Sequence, residues 1–367
     1  MRAAVFTGPG QPLAIEELEV DEPQAGEVVV RMEASGVCHS DLHVIEGEWE
    51  ERPPIVLGHE GFGVVEAVGD GVEDLAPGQR VVLSWYAPCG RCAFCASGRE
   101  WLCTRTRAED HLMPDGGVRL HREGGEPVRP YLAVGSFGER AVVPAAGAIP
   151  VAGELPAEVG ALIGCAVTTG VGAVLNTARV EPGAAVVVVG CGGVGLSVIM
   201  GARLAGADPI VAIDLHDAKL ELARLVGATH TVRGGDGVAG ELSAIMPGGG
   251  DFVFEAIGLH STIALTLELT PRGGTAVLVG MPPTDVTVPL DPLDLAVNGK
   301  TVVGCTYGSS RPRVDFPRLA RLALSGRLPV ELMIDSRIEL DDVNGAFDRM
   351  RRGEGGRTVI RYPGSAA

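Results

Sequence analysis

The sequence predicts an α/β protein in two parts, a mainly-β body followed by a doubly wound parallel sheet. Residues 1 to about 150 offer short strand-like runs between Gly, Pro and Asp turns, with little 3.6-residue periodicity. From Ala184 onward, continuous apolar runs alternate with helical ones, the pattern of a parallel sheet covered on both faces. With 53 Gly and 25 Pro among 367 residues, elements are short and turns many. That length suggests two domains.

In the first part the strand candidates are Glu27–Ala34, Gly63–Val68, Arg80–Ser84 and Glu139–Pro144. In the second, Ala185–Val189 reads as a strand and Val194–Leu204 as a helix. Pro209–Ile213 is the next strand, and Asp217–Val226 a helix stopped by Gly227. Phe252–Glu255 and Thr275–Val279 repeat the apolar run around a helix at Ser261–Leu269. The tail returns to the mixed style, with an amphipathic stretch Leu340–Met350 and a strand Thr358–Arg361.

Composition narrows the function. Thirty basic against 47 acidic side chains leave a net charge of −17, unsuited to nucleic acid or an anionic membrane surface. Apolar residues at 46% and charged residues at 21% fit a globule with a full core. The N-terminus lacks the apolar core of a signal peptide, so a cytoplasmic protein is expected. Pro182–Ala202 carries no charge over 21 residues, yet six glycines break it, so it reads as strand, turn and helix start rather than a membrane span.

Gly190-Cys191-Gly192-Gly193-Val194-Gly195 fits G-x-G-x-x-G, follows an apolar strand, opens a helix, and is answered by Asp214 at the end of the next strand. In that setting the first glycine makes the tight turn, the second admits a pyrophosphate, and the third lets helix pack on strand. Phosphates sit well at a helix N-terminus, where unpaired N–H groups and the helix dipole favour anions. Asp214 would accept bonds from the ribose hydroxyls and repel a 2′-phosphate, which favours NAD over NADP.

Four of eight cysteines fall in Cys89-x2-Cys92-x2-Cys95-x7-Cys103, a spacing that can wrap one tetrahedral Zn²⁺ in a closed thiolate shell. A closed shell has no room for substrate, so its role is structural. Disulfides need an oxidising compartment, and an iron–sulfur cluster is the other chemistry open to four thiolates. Cys38, His39, Ser40, Asp41 and His43 lie in one turn, His59-Glu60 is flanked by glycines, and Cys165 follows Gly164. Spacing alone does not join these into a site.

Taken together, GVCHSD (36–41), GHEGFG (58–63), the cysteine lobe, GCAVTTG (164–170), GCGGVG (190–195), VLVGMPP (277–283) and GGRTVIRY (355–362) resemble the zinc-dependent medium-chain alcohol dehydrogenases along essentially the whole chain. The resemblance implies a GroES-like catalytic domain over 1–160 and 308–367, with the lobe at about 88–104, and a Rossmann NAD-binding domain over 161–307. It implies two zincs per chain, the catalytic one on Cys38, His59 and Cys165. Asp41 and Glu60 would stand behind those ligands, Asp41 orienting the His59 imidazole. The ion would let an alcohol lose its proton near neutral pH before hydride transfer to the nicotinamide. Ser40 would take the proton and His43 pass it outward. His39 and Arg357 would contact the pyrophosphate, Lys219 a ribose, and the Val279 backbone the carboxamide. Trp49, Trp85, Leu132, Met281 and Thr306 would line a narrow apolar pocket, implying small or slender primary alcohols and their aldehydes, in a homodimer or homotetramer.

Two rival functions follow from the same residues. Arg107 and Met113-Pro114-Asp115-Gly116-Gly117 resemble the branch that oxidises adducts of formaldehyde with glutathione or mycothiol. A non-catalytic NAD-binding structural protein would have lost the three zinc ligands, which are all present.

Overall fold

The computed structural model describes residues 1–364 and divides into two units. One comprises Met1–Cys165, Arg311–Gly326 and Ile334–Ala367, the other Ala166–Ser310 and Arg327–Met333. The tail is therefore not wholly in the first unit, as the expected 308–367 segment has it. Arg327–Met333 stays with the second unit, where the buried Met333 sulfur accepts from Ser197 Oγ at 3.8 Å.

In the first unit, one long strand, Glu27–Gly36, organises a seven-stranded sheet. Its apolar run Val28-Val29-Val30 is buried on both faces, which β-branched residues tolerate well. Glu60–Val68 pairs antiparallel along its length, Arg140–Pro144 pairs near its start, and Arg357–Arg361 near its end. A six-stranded sheet beside it includes Arg2–Phe6 and Ala14–Glu17. The core joins Val5, Phe6, Val30, Leu57, Leu83, Phe137 and Phe347.

The second unit is a six-stranded parallel sheet in the order 230–233, 210–214, 186–189, 252–255, 275–278, 301–304. Its direction of winding reverses beside Val186–Val189, so the glycine turn leaves the sheet at the switch point where such folds bind ligands. The helix that follows, Gly193–Ala205, is capped by Gly206 in the left-handed conformation.

Pro182–Ala202 forms the strand, turn and helix its glycines predict. The helix that does have membrane-spanning length and apolarity lies upstream, Ala157–Ala178, with a mean hydropathy of 1.7. Its apolar window is 83% buried inside the protein, the behaviour of a core helix.

Candidate active site

Strand register assembles what spacing leaves apart. Gly36 pairs with Glu60 on one side and with Val359 on the other, so Cys38, His59 and Arg357 converge at one end of the sheet. Cys38 then opens the short helix His39–Glu46, which Gly47 ends at φ +76°. Cys165 arrives from the helix Ala157–Leu162, within a π-helical turn at Ile163–Val167. Such turns are rare and recur at functional sites. Gly160 and Gly164, one turn apart, let that helix press on the sheet. A Cβ at Gly160 would lie 2.2 Å from the Phe62 ring, and one at Gly164 2.8 Å from the Leu83 carbonyl. The donor atoms of Cys38, His59, Glu60 and Cys165 lie within 4.8 Å of one another.

The donor set fits a metal. Two donors bound tetrahedrally to one Zn²⁺ at 2.0–2.3 Å stand about 3.3–3.8 Å apart, close to the spread found here. His59 Nδ1 faces Asp41 Oδ1 at 3.4 Å, which leaves Nε2 for a metal. Asp41 is itself fixed, accepting from the Gly58 amide at 3.0 Å and the Cys38 amide at 3.2 Å. A hydrogen bond from Cys165 holds the Cys38 thiol well below its ordinary pKa, and the Cys165 thiol is raised in return. Burial disfavours a charged His59, but the Asp41 carboxylate and the Cys38 sulfur together outweigh it and lift the imidazole pKa.

Glu60 is expected behind the ligands and instead lies among them. Its Oε2 pairs with Arg357 Nη2, while its buried Oε1 has no hydrogen-bond partner among the described residues. Burial raises its pKa to about 7 despite Arg357. The sequence reading gives Arg357 to a phosphate; in the structure its Nη2 is held by Glu60 and by the Val37 carbonyl at 3.0 Å.

The lobe cysteines also converge. Cys89, Cys92, Cys95 and Cys103 lie within 4.8 Å of one another, all as free thiols. Backbone N–H groups of Cys89, Cys92, Cys95 and Arg105 point at sulfurs at 3.3–3.5 Å, a setting that favours thiolates. Backbone N–H groups of Cys95 and Thr104 lower Cys92 to about 6, while burial raises Cys95 to about 12.

Ser40 Oγ stands 3.8 Å from Cys38 Sγ, beside the cluster. His43 is buried, its Nδ1 bonded to Glu48, a partner the sequence reading did not include. Trp49 is expected in the pocket wall but stacks on His43 at 4.6 Å, so one indole face is spent there. His39 is exposed, its ring edge to that of His43 at 4.9 Å. Trp85 is half-buried against Tyr86. Leu132, at φ +52°, is half-buried and its amide bonds His111 Nδ1 at 3.1 Å. Met281 and Thr306 belong to the second unit, where both are exposed.

In that unit the glycine loop has the expected mechanics. Gly190 turns at φ +99°, and a Cβ at Gly195 would lie 1.8 Å from the Gly190 carbonyl. Gly192 has open space around it, and the Gly193 helix has no side-chain cap, so its N–H groups are available to an anion. Asp214 ends its strand and accepts from the Cys191 amide at 2.8 Å and the His216 amide at 3.0 Å. Lys219 lies in the first turn of the helix Asp217–Val226, and Val279 donates its amide to Glu255 O at 2.9 Å.

Glu255 escapes the sequence reading. It is fully buried, and its Oε1 accepts from the Ile257 and Gly258 amides and from Thr262 Oγ1, all at 2.8–2.9 Å. A carboxylate closing the apolar run FVFE was the available signal.

Comparison with known proteins shows the family. A model described as alcohol dehydrogenase GroES-like domain matches residues 24–153, and one described as zinc-binding dehydrogenase matches 193–325. The chain is 38% identical over 373 residues to S-(hydroxymethyl)glutathione dehydrogenase of Paracoccus denitrificans, covering 98% of this chain and 99% of that one. The enzyme of that name from Escherichia coli O6:K15:H31 is 40% identical over 368 residues, covering 98% and 99%. Among solved structures, benzyl alcohol dehydrogenase of Acinetobacter calcoaceticus matches with a TM-score of 0.92 at 32% identity, covering 98% of each chain. A Burkholderia ambifaria protein described as alcohol dehydrogenase zinc-binding domain protein matches with a TM-score of 0.93 at 36% identity, covering 99% and 98%. With cysteine and histidine donors gathered in one unit, a glycine-turn parallel sheet in the other, and relatives matched end to end, the chain belongs to the zinc-dependent medium-chain alcohol dehydrogenases, a family of oxidoreductases.

Proposed function

We propose that the protein is an NAD-dependent dehydrogenase of the hydroxymethyl adducts that formaldehyde forms with a small thiol such as glutathione or mycothiol. The reaction converts R–S–CH₂OH and NAD⁺ to R–S–CHO, NADH and a proton. The gathered donors Cys38, His59 and Cys165 carry the reaction class. The full-length relatives named for S-(hydroxymethyl)glutathione favour the adduct over slender alcohols as substrate.

Zn²⁺ held by Cys38, His59 and Cys165 would supply Lewis acidity toward a substrate hydroxyl. Asp41 keeps His59 in the tautomer a metal needs. Ser40, beside Cys38, is placed to accept the hydroxyl proton, and His43, backed by Glu48, to take it outward. Asp214 offers its carboxylate to the adenosine ribose and disfavours a 2′-phosphate. Arg107, on the turn that leads to His111 and Leu132, offers the adduct's carboxylate a guanidinium. Cys89, Cys92, Cys95 and Cys103 would hold the second, structural zinc.

A second substrate reading, slender or aromatic primary alcohols, draws on the benzyl alcohol dehydrogenase neighbour and on Trp49 and Trp85. NADH formation from formaldehyde with glutathione, with mycothiol and with neither separates the two. Oxidation requiring a thiol supports the adduct, whereas thiol-independent oxidation of alcohols alone overturns it. We further assign the chain to the cytoplasm, whose reducing conditions keep the cysteines proposed for zinc from oxidising to disulfides. A homo-oligomer through the edge strand Thr301–Gly304 is also proposed, since Leu290, Leu293 and Val297 nearby are at least half exposed. Light scattering in solution reads its state.

A further inference from the structure

Three non-glycine residues in the left-handed region meet at one place in the first unit: His111 at φ +57°, Leu132 at +52° and Ala133 at +56°. Left-handed backbone is costly for residues with a Cβ and persists only where the surroundings impose it. The His111 ring supplies that constraint. It is 2% exposed, and its Nδ1 lies 3.1 Å from the Leu132 amide, which can only donate. The Ala108 carbonyl is equally near that nitrogen, but a proton on Nδ1 would collide with the donating Leu132 N–H. Nδ1 is therefore the acceptor, and in the neutral ring the proton sits on Nε2. Nε2 stands 2.8 Å from Glu51 Oε2, near enough for electrostatic attraction but not aligned for a hydrogen bond. One buried imidazole thus accepts from the turn carrying Leu132 and lies against the carboxylate of Glu51.

The same ring leans on Tyr131, centroids 5.0 Å apart, and Tyr131 meets the His59 imidazole edge-on at 5.7 Å. At the other end of the His111 turn, the Arg107 carbonyl accepts the amides of Asp110 and Leu112, while Arg107 Nε bonds Asp110 at 2.7 Å. We propose that His111, braced by Glu51, is a positioning residue for substrate selectivity. It holds the Tyr131–Ala133 turn beside the metal-site histidine and fixes the distance from that turn to Arg107, so an extended substrate fits without displacing His59. The proposal rests on the reading of Leu132 as pocket wall and Arg107 as carboxylate anchor, and concerns positioning alone.

The test uses the zinc-loaded enzyme with His111→Gly, which keeps the left-handed backbone accessible while removing the ring, and Glu51→Gln as a milder companion. Losing one buried hydrogen bond of this kind is worth about tenfold in binding. In His111→Gly the KM for the thiol adduct should rise about tenfold, with kcat falling less than about threefold, two zincs retained, and amide exchange in the 131–134 segment faster by a similar factor. Glu51→Gln should move KM the same way by a smaller factor. Unchanged exchange at 131–134, or KM values rising equally for ethanol and for bulky substrates, overturns the proposal. Should the wild-type enzyme not prefer the adduct, the substrate reading fails by itself. Positioning is then decided by the KM ratio of benzyl alcohol to ethanol, which rises if it is right and stays constant if it is wrong.

Discussion

Gly36→Ala is a one-methyl perturbation aimed at the centre of the site. A Cβ at Gly36 would lie 2.0 Å from Glu60 Oε2 and 3.1 Å from Glu60 Cβ. Ordinary contact begins near 3.4 Å, so the carboxylate must retreat by more than an ångström and cannot keep its bond to Arg357. Backbone cannot yield instead, because Gly36 is paired on both sides, to Glu60 and to Val359. Arg357 and Glu60 have 9% and 0% of their side chains exposed, so separation leaves charge buried without its partner. Breaking a buried pair costs about 3–5 kcal/mol. For domains of this size, about 2–4 °C of Tm is lost per kcal/mol, and the product is a fall of roughly 6–20 °C. Calorimetry of the zinc-loaded protein reads the Tm, and elemental analysis the metal. Gly240→Ala is the control: it lies in the helix Val238–Ile245 with open space around it, and should be neutral or stabilise by about 0.5–1 kcal/mol. A Gly36→Ala protein with wild-type Tm and two zincs would refute the claim that this strand end must be glycine for Glu60 and Arg357 to meet.

Asp41→Asn should weaken metal binding at the Cys38–His59–Cys165 site by about 10- to 100-fold, read by competition with a chelator, while the cysteine lobe stays loaded. Cys103→Ser should reduce the zinc count from two to one per chain and expose the 88–104 segment to protease. Unaltered metal content and cleavage would remove the structural assignment of the lobe. Asp214→Gly should raise the NADP-to-NAD ratio of kcat/KM by at least about tenfold, since a carboxylate facing a 2′-phosphate opposes binding by more than a kcal/mol; a constant ratio would mean that Asp214 does not face the ribose.

Much of the fold was legible because its cause is local. Asp217–Val226 and Phe252–Glu255 fall where periodicity and apolar runs put them. The edge strands His230–Arg233 and Thr301–Gly304 were not legible, because each is four residues long and exposed at half or more of its positions, with too short an apolar run to stand out. Nor was the helix Ala157–Ala178, whose glycines and paired threonines weaken every local helix signal until burial makes up the deficit. Within the site, the cysteine lobe could be read directly, since four thiols within fifteen residues can reach one ion. Glu48 behind His43 and Glu51 beside His111 could not, because their partners are chosen by side-chain direction.

By itself the sequence determined the parallel sheet, the glycine turn with its answering Asp214, and the thiolate lobe. Each depends on residues close enough along the chain for spacing to dictate geometry. Tertiary structure alone decided that Cys38, His59 and Cys165 face one point, that Glu60 joins them, and that Arg357 Nη2 pairs with Glu60. Those contacts are set by antiparallel register at Gly36 and by the approach of the helix bearing Gly160 and Gly164. Register and helix approach are properties of the packed core, where a methyl group is the difference between contact and collision.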